Sequence, residues 1–198
     1  IIEHEITPLD FDQVAAIMRR AFHALRNGRP GPVVVDIPAD VGTQEVSEQA
    51  LAYKPPTTLK QTPTKGDIQD AVRALLNAKR PVIWAGMGVL LAGASKELTE
   101  FAELTEIPVY TSMPGKSAID ERHPLALGAG SGSTTLAGRT WLQESDTFFG
   151  VGTSLTLTGY GQPIPPGKFI IHNTLSQEDI NKDHFVDIGL AGDAKETL

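Results

Sequence analysis

The chain has 198 residues, 40% of them apolar and 21% charged, a globular profile that excludes disordered and fibrous classes. A net charge of −7 and a pI near 5.2 argue against nucleic acid or an anionic membrane as principal partner. No apolar run approaches the ~18 residues of a membrane span. The lack of cysteine excludes disulfides, thiolate nucleophiles and cysteine-based zinc sites.

The opening residues IIEHEITPLDFD carry acids and no basic region, so they are not a signal peptide. The missing initiator methionine fits an excised or processed fragment, and a cytoplasmic location is expected. Asp10 or Asp12 caps a helix through about Leu25, with Phe11, Val14, Ala15, Met18, Phe22 and Leu25 on one stripe and Asn27-Gly28 at its end. Pro30 and Pro32 then deliver the chain into VVVDI, a β-branched run that reads as a strand covered on both faces of a parallel sheet. Asp36 falls inside that run and needs a partner or solvent. Residues 10–38 thus form an αβ unit whose sheet partners are expected outside this chain.

From Thr43 to Gly66 the periodicity fails, and KPPTTLKQTPTKG reads as an extended linker. Asp67 caps a helix over Ile68–Ala78. RPVIWAG is a buried strand, Ser95–Thr105 an amphipathic helix and IPVYTS a second strand. STTLAGRTWLQES reads as a helix feeding the strand TFFGVG. KFIIHN is a fourth strand, and FVDIGLAGDA a fifth that enters a helix capped by Asp193. Strands spaced by helices predict an α/β fold, a doubly wound, mostly parallel, Rossmann-like sheet of five to six strands.

Several loops carry candidate chemistry. Gly86 and Gly88 follow the first strand of this second region, where glycine backbones can approach a pyrophosphate ahead of a helix. The third glycine of a dinucleotide fingerprint is replaced by Leu91, and Val109, Tyr110 and Thr111 stand where a ribose-binding acid is expected. The alternative reading is a tight strand-to-helix turn. PGKS at 114–117 imitates the end of a P-loop, but its first glycine would be Tyr110; Lys116 is either a point charge for a phosphate or a solvated lysine. Gly128, Gly130 and Gly132, with Ser131, Ser133 and Thr134, read as an anion cradle or as a flexible connection. Gly152–Ser154 closes a further strand, and all these loops are expected to converge where open α/β sheets bind ligands. The five histidines form no ligand set, there is no Gly-x-Ser-x-Gly elbow, and AIDERHP reads as a charged surface turn.

GRPGPVVVDIPADV resembles the closing strand of the pyrimidine-binding domain in thiamine-diphosphate-dependent enzymes of the acetolactate synthase and pyruvate decarboxylase type. KRPVIWAGMGV, IPVYTSMPGKSAIDERHPLALGAG, SDTFFGVGTSL and EDINKDHFVDIGLAGDAKETL resemble segments of their central domain, in the same order. The resemblance implies three parts: residues 1–42 as the end of the pyrimidine-binding domain, 43–66 as linker and 67–198 as the central domain. It also implies thiamine diphosphate and Mg²⁺ in the parent protein, held between the pyrimidine- and diphosphate-binding domains, and a homo-oligomer. The activating glutamate and the Gly-Asp-Gly motif with its following Asn belong to parts absent from this chain; GDA at 192–194 is not that motif. No residue here is expected to be catalytic.

In the family some central domains hold FAD or ADP, and the matching positions are Gly86, Gly88, Lys116, Gly128, Gly130, Thr153 and Ser154. Two departures favour weak or absent nucleotide: GTSLTLTG carries no cation, and IHNTLS replaces an acidic IDID, leaving Asn173 or Thr174 in the carboxylate's place. An adenosine ribose thereby loses a charge-assisted bond worth roughly 1.5–3 kcal/mol. The leading reading is a central-domain fragment of a 2-oxo-acid carboligase or decarboxylase. A stand-alone nucleotide-binding module is the alternative, and a nicotinamide-dependent oxidoreductase is disfavoured by the missing ribose acid.

Overall fold

Three consecutive valines make a strand, and the chain itself supplies one neighbour for it. In the computed structural model, which describes residues 4–6, 12–45, 47–48, 54–130 and 133–198, β1 (His4–Ile6) pairs in parallel with β2 (Val33–Val35). The polar segment HEI gives no alternating pattern, which is why it did not read as a strand. Helix α1 (Asp12–Arg26) makes the crossover between them. Its buried line is Ile17 and Ala21, flanked by Val14 and Met18, whereas Leu25 is exposed; the stripe is rotated from the expected one. Asp10 and Phe11 lie outside the described residues. Gly28 (φ 71°) ends the helix, and Asn27 Oδ1 accepts the amide of Leu59 at 2.7 Å. Helix α2 (Ala39–Gly42) buries Val41. Asp36 follows the strand rather than lying inside it and is exposed, so solvent, one of the two expected alternatives, satisfies it. These elements belong to the first of two compact units, Ile1–Lys60.

The second unit, Gln61–Leu198, starts three residues earlier as a helix than the sequence suggested. Thr64, not Asp67, caps α3 (Lys65–Asn77): its Oγ1 accepts the Asp67 amide and donates to Asp67 Oδ2 at 2.7 Å. Then follow β3 (Pro81–Ala85), α4 (Met87–Leu91), α5 (Ser95–Thr105), β4 (Val109–Ser112) and β5 (Ala126–Gly130). Helix α6 (Leu136–Glu144), capped by Thr135, leads to β6 (Thr147–Val151), β7 (Phe169–Thr174), a 3₁₀ turn (Gln177–Asp179), β8 (Ile188–Ala191) and α7 (Ala194–Thr197).

The sheet has six parallel strands in the order β5-β4-β3-β6-β7-β8. Alternation along β3 sends Val82 and Trp84 to one face, with Tyr110, Phe148 and Leu142, and Ile83 and Ala85 to the other, with Leu98, Val109, Phe149 and Ile171. The strand of this sheet missed by the sequence reading is β5. Apart from Leu127 its residues ALGAG are small, and none carries a β-branched side chain, so nothing in them announces a strand. An edge place in the sheet demands least of them.

At the amino ends of the strands, side-chain carboxylates complete the ladder. Asp146 accepts the amides of Lys79 (2.7 Å) and Arg80 (3.2 Å), and Asp187 accepts the amide of Ile170 (2.8 Å). Burial alone would raise the Asp146 carboxyl, but these bonds outweigh it and hold the group below its ordinary range.

Candidate functional site

Strand order reverses between β3 and β6: the chain moves outward from β3 through β4 and β5, then returns to β6 on the other side. In an open α/β sheet the ligand crevice lies at that reversal, outside the carboxyl ends. Here β3 runs into Gly86-Met87-Gly88 and β6 into Gly152-Thr153-Ser154.

The two turns are packed backbone to backbone. Gly86 donates its amide to Val151 O and Gly88 to Gly152 O, both at 2.8 Å. A Cβ on Gly86 would stand 2.3 Å from Gly152 O, one on Gly88 2.6 Å from the same oxygen, and one on Gly115 2.4 Å from Ala85 O. Gly152 (φ 57°) completes the contact, its missing Cβ 2.5 Å from Val89 N. No ordinary side chain has room in this joint. Helix α4 behind Gly86 has five residues.

Asn173 on β7 ties the joint to the rest of the unit. It is fully buried; its Oδ1 accepts the Gly152 amide (3.0 Å), and its Nδ2 donates to Leu190 O (3.1 Å), Gly192 O (3.0 Å) and Thr197 Oγ1 (2.9 Å). The amide orientation follows from its partners, a donor on one side and acceptors on the other. Neighbouring His172 is also fully buried. Its Nε2 carries the proton and donates to Thr153 O at 2.8 Å, which leaves Nδ1 buried without a partner. Burial pushes its pKa below the ordinary 6.5; the Thr153 carbonyl and Asp179 oppose that only in part.

The other anticipated residues are distributed around this joint. Thr153 Oγ1 accepts the amide of Leu155, which sits at φ 47°, and Ser154 Oγ accepts from Thr156 Oγ1 at 2.9 Å. Lys182, a cation the sequence reading did not single out, reaches the same loop and donates to Thr156 Oγ1 at 3.1 Å and Asp179 Oδ1 at 3.3 Å. Lys116 pairs with Glu121. Gly128 and Gly130 are not in a loop: they stand in edge strand β5, separated from β3 by β4. Gly128 (φ 88°) sits where the pairing with β4 shifts register, and Gly130 faces the Tyr110 ring, whose Cε1 a Cβ would meet at 2.6 Å. Gly138 on α6 gives way to the same ring, and Tyr110 Oη bonds Thr134 Oγ1 at 2.5 Å. Ser131 and Gly132 lie outside the described residues.

Thus Gly86, Gly88, Thr153 and Ser154 come together, while Lys116, Gly128 and Gly130 serve local contacts. His172 and Gly115 are the structural members that sequence reasoning missed, and Asn173, expected only in a lost carboxylate's place, is a structural tie. Thr174 is committed too: its hydroxyl donates to Asp179 Oδ2 (3.3 Å) and accepts the Ser176 amide (3.2 Å).

The family model for the thiamine pyrophosphate enzyme central domain matches residues 68–198. A glyoxylate carboligase of Escherichia coli O157:H7 is 36% identical over 93% of this chain and 32% of its own length. An acetolactate synthase large subunit of Corynebacterium glutamicum is 33% identical over 100% of this chain and 32% of its own. The chain spans about a third of the length of the curated relatives it matches. A solved structure described as that of a thiamin diphosphate-dependent enzyme, isolated from Mycobacterium smegmatis, superposes with a TM-score of 0.81 at 24% identity, over 99% of this chain and 38% of that one. At that identity the likeness is one of fold.

Proposed function

The chain belongs to the thiamine pyrophosphate enzymes, as their central domain, and on that premise we propose that it serves a 2-oxo-acid carboligase or decarboxylase whose catalytic centre lies on other parts of the parent. Residues 1–42 are the end of the preceding pyrimidine-binding domain, 43–66 the linker and 67–198 the central scaffold. Thiamine diphosphate supplies the parent with a thiazolium nucleophile and an electron sink. Among the described residues no cluster of carboxylates and histidines could hold its Mg²⁺. The one GD pair near the C-terminus, Gly192-Asp193, is committed to structure: Asp193 Oδ1 accepts the amides of Lys195 (2.9 Å) and Glu196 (3.3 Å) as a helix cap. The parent is a cytoplasmic homo-oligomer whose pyrimidine- and diphosphate-binding domains are the partners of this chain.

The observation that carries the reading is β2. A run of Val33, Val34, Val35 and Ile37 suits the interior of a parallel sheet, yet its one strand neighbour among the described residues is β1, and Val34 and Ile37 are 39% and 46% exposed. That apolar surface matches the remainder of a larger sheet. Incubating the 198-residue chain with thiamine diphosphate, Mg²⁺ and pyruvate tests the proposal. No pyruvate consumption is expected; turnover by the chain alone would overturn the assignment of the catalytic centre to other domains.

A further inference from the structure

We infer that the crevice at the β3/β6 reversal is a sealed structural joint, closed by Asn173, and that this central domain holds neither FAD nor ADP. The inference rests on the family reading above and sharpens it by removing one ligand class.

Three features a dinucleotide needs are each committed elsewhere. Backbone donors at the turn come first: the Gly86 and Gly88 amides are bonded to Val151 O and Gly152 O, and the missing side chains make room for protein backbone rather than for a pyrophosphate. The five-residue helix behind them is too short to add a useful dipole. Next is the ribose acceptor. Asn173 uses its oxygen on Gly152 and its nitrogen on three acceptors, so a sugar hydroxyl could be bound only by breaking bonds that hold β6, β8 and α7 together. The Thr174 hydroxyl is likewise engaged on both sides. Last is the phosphate cation: Lys116 is paired with Glu121, and Lys182 is held by Asp179 and Thr156. A nucleotide entering here would exchange satisfied bonds for new ones and gain little. The amide of Asn173 does internally what a bound nucleotide would do from outside: it joins the loop after β6 to the end of β8 and to the last helix.

The test is equilibrium dialysis and thermal melting of the full chain with FAD and, separately, ADP. A nucleotide held at about 100 times its Kd would raise the melting midpoint by roughly 5–10 °C. The expected result is no shift and no retained nucleotide. Saturable retention of either, or flavin released from the purified protein on denaturation, would overturn the inference while leaving the family assignment intact. Asn173→Asp adds a second readout, because a carboxylate there would face the carbonyl oxygens of Leu190 and Gly192. It should melt lower and still bind no nucleotide; a variant that melts as the parent chain does, or gains FAD binding, would contradict the sealed joint. Should Asn173→Asp fail to fold, the dialysis of the unaltered chain decides alone.

Discussion

Replacing Gly86 with alanine places one methyl group in the joint between β3 and β6, where its carbon would stand 2.3 Å from Gly152 O and 2.7 Å from Thr153 Cβ. Neither neighbour is the end of a flexible side chain, so the two turns must separate. Overpacking of this kind costs about 1–3 kcal/mol. Separation also strains the bonds from Gly86 to Val151 O and from Gly88 to Gly152 O, and a buried group orphaned in this way costs about 1–3 kcal/mol more. The combined expectation is a loss of roughly 2–6 kcal/mol. Gly93→Ala is the control: its φ of 62° imposes the left-handed penalty of about 1–2 kcal/mol, but nothing lies within 4 Å of the added carbon. Urea unfolding followed by tryptophan fluorescence reports on the correct unit, since Trp84 and Trp141 both lie in it. If Gly86→Ala costs no more than Gly93→Ala, the turns are not in contact and the sealed-joint reasoning is wrong.

Tyr110→Phe removes the bond to Thr134 and should cost about 0.5–1.5 kcal/mol, whereas Gly138→Ala, which drives a methyl into the same ring, should cost more; chemical denaturation ranks the two. His172 stays neutral in the fold and protonates readily once unfolded, so below pH 6.5 the unfolded chain binds the extra proton and stability falls with falling pH. His172→Gln should flatten that part of the melting-temperature profile between pH 7 and 5. Asp146 behaves as a depressed carboxylate: its contribution is present above the ordinary carboxylate range and is lost on acidification, so Asp146→Asn should lower the midpoint at neutral pH and narrow the gap to the unaltered chain in acid. Lys116→Ala, which breaks one exposed ion pair, should change stability by no more than about 1 kcal/mol.

Much of this fold was legible because its strong signals are local. PVIWA is a continuous apolar run and TFFGV is apolar after its first residue, and both become strands buried on both faces. Asp193 is the helix cap its position suggested. The failures have a common cause in tertiary context. Strand β5 is built mostly of small residues whose pairing comes from β4, and its Gly130 yields to Tyr110, a partner about 20 residues away in sequence that no short motif announces. The same ambiguity governs the turn glycines: spacing cannot distinguish a glycine that admits a phosphate from one that admits another backbone. Asn173 is the clearest case. As a letter in IHNTLS it reads as a lost carboxylate, and only its four partners reveal a structural tie.

Calorimetric titration of the 198-residue chain with Mg²⁺-thiamine diphosphate tests the central assignment most directly. The account predicts no saturable heat, because it assigns the groups that hold this cofactor to parts outside this chain. A saturable isotherm of defined stoichiometry would contradict it and return a cofactor site to these residues.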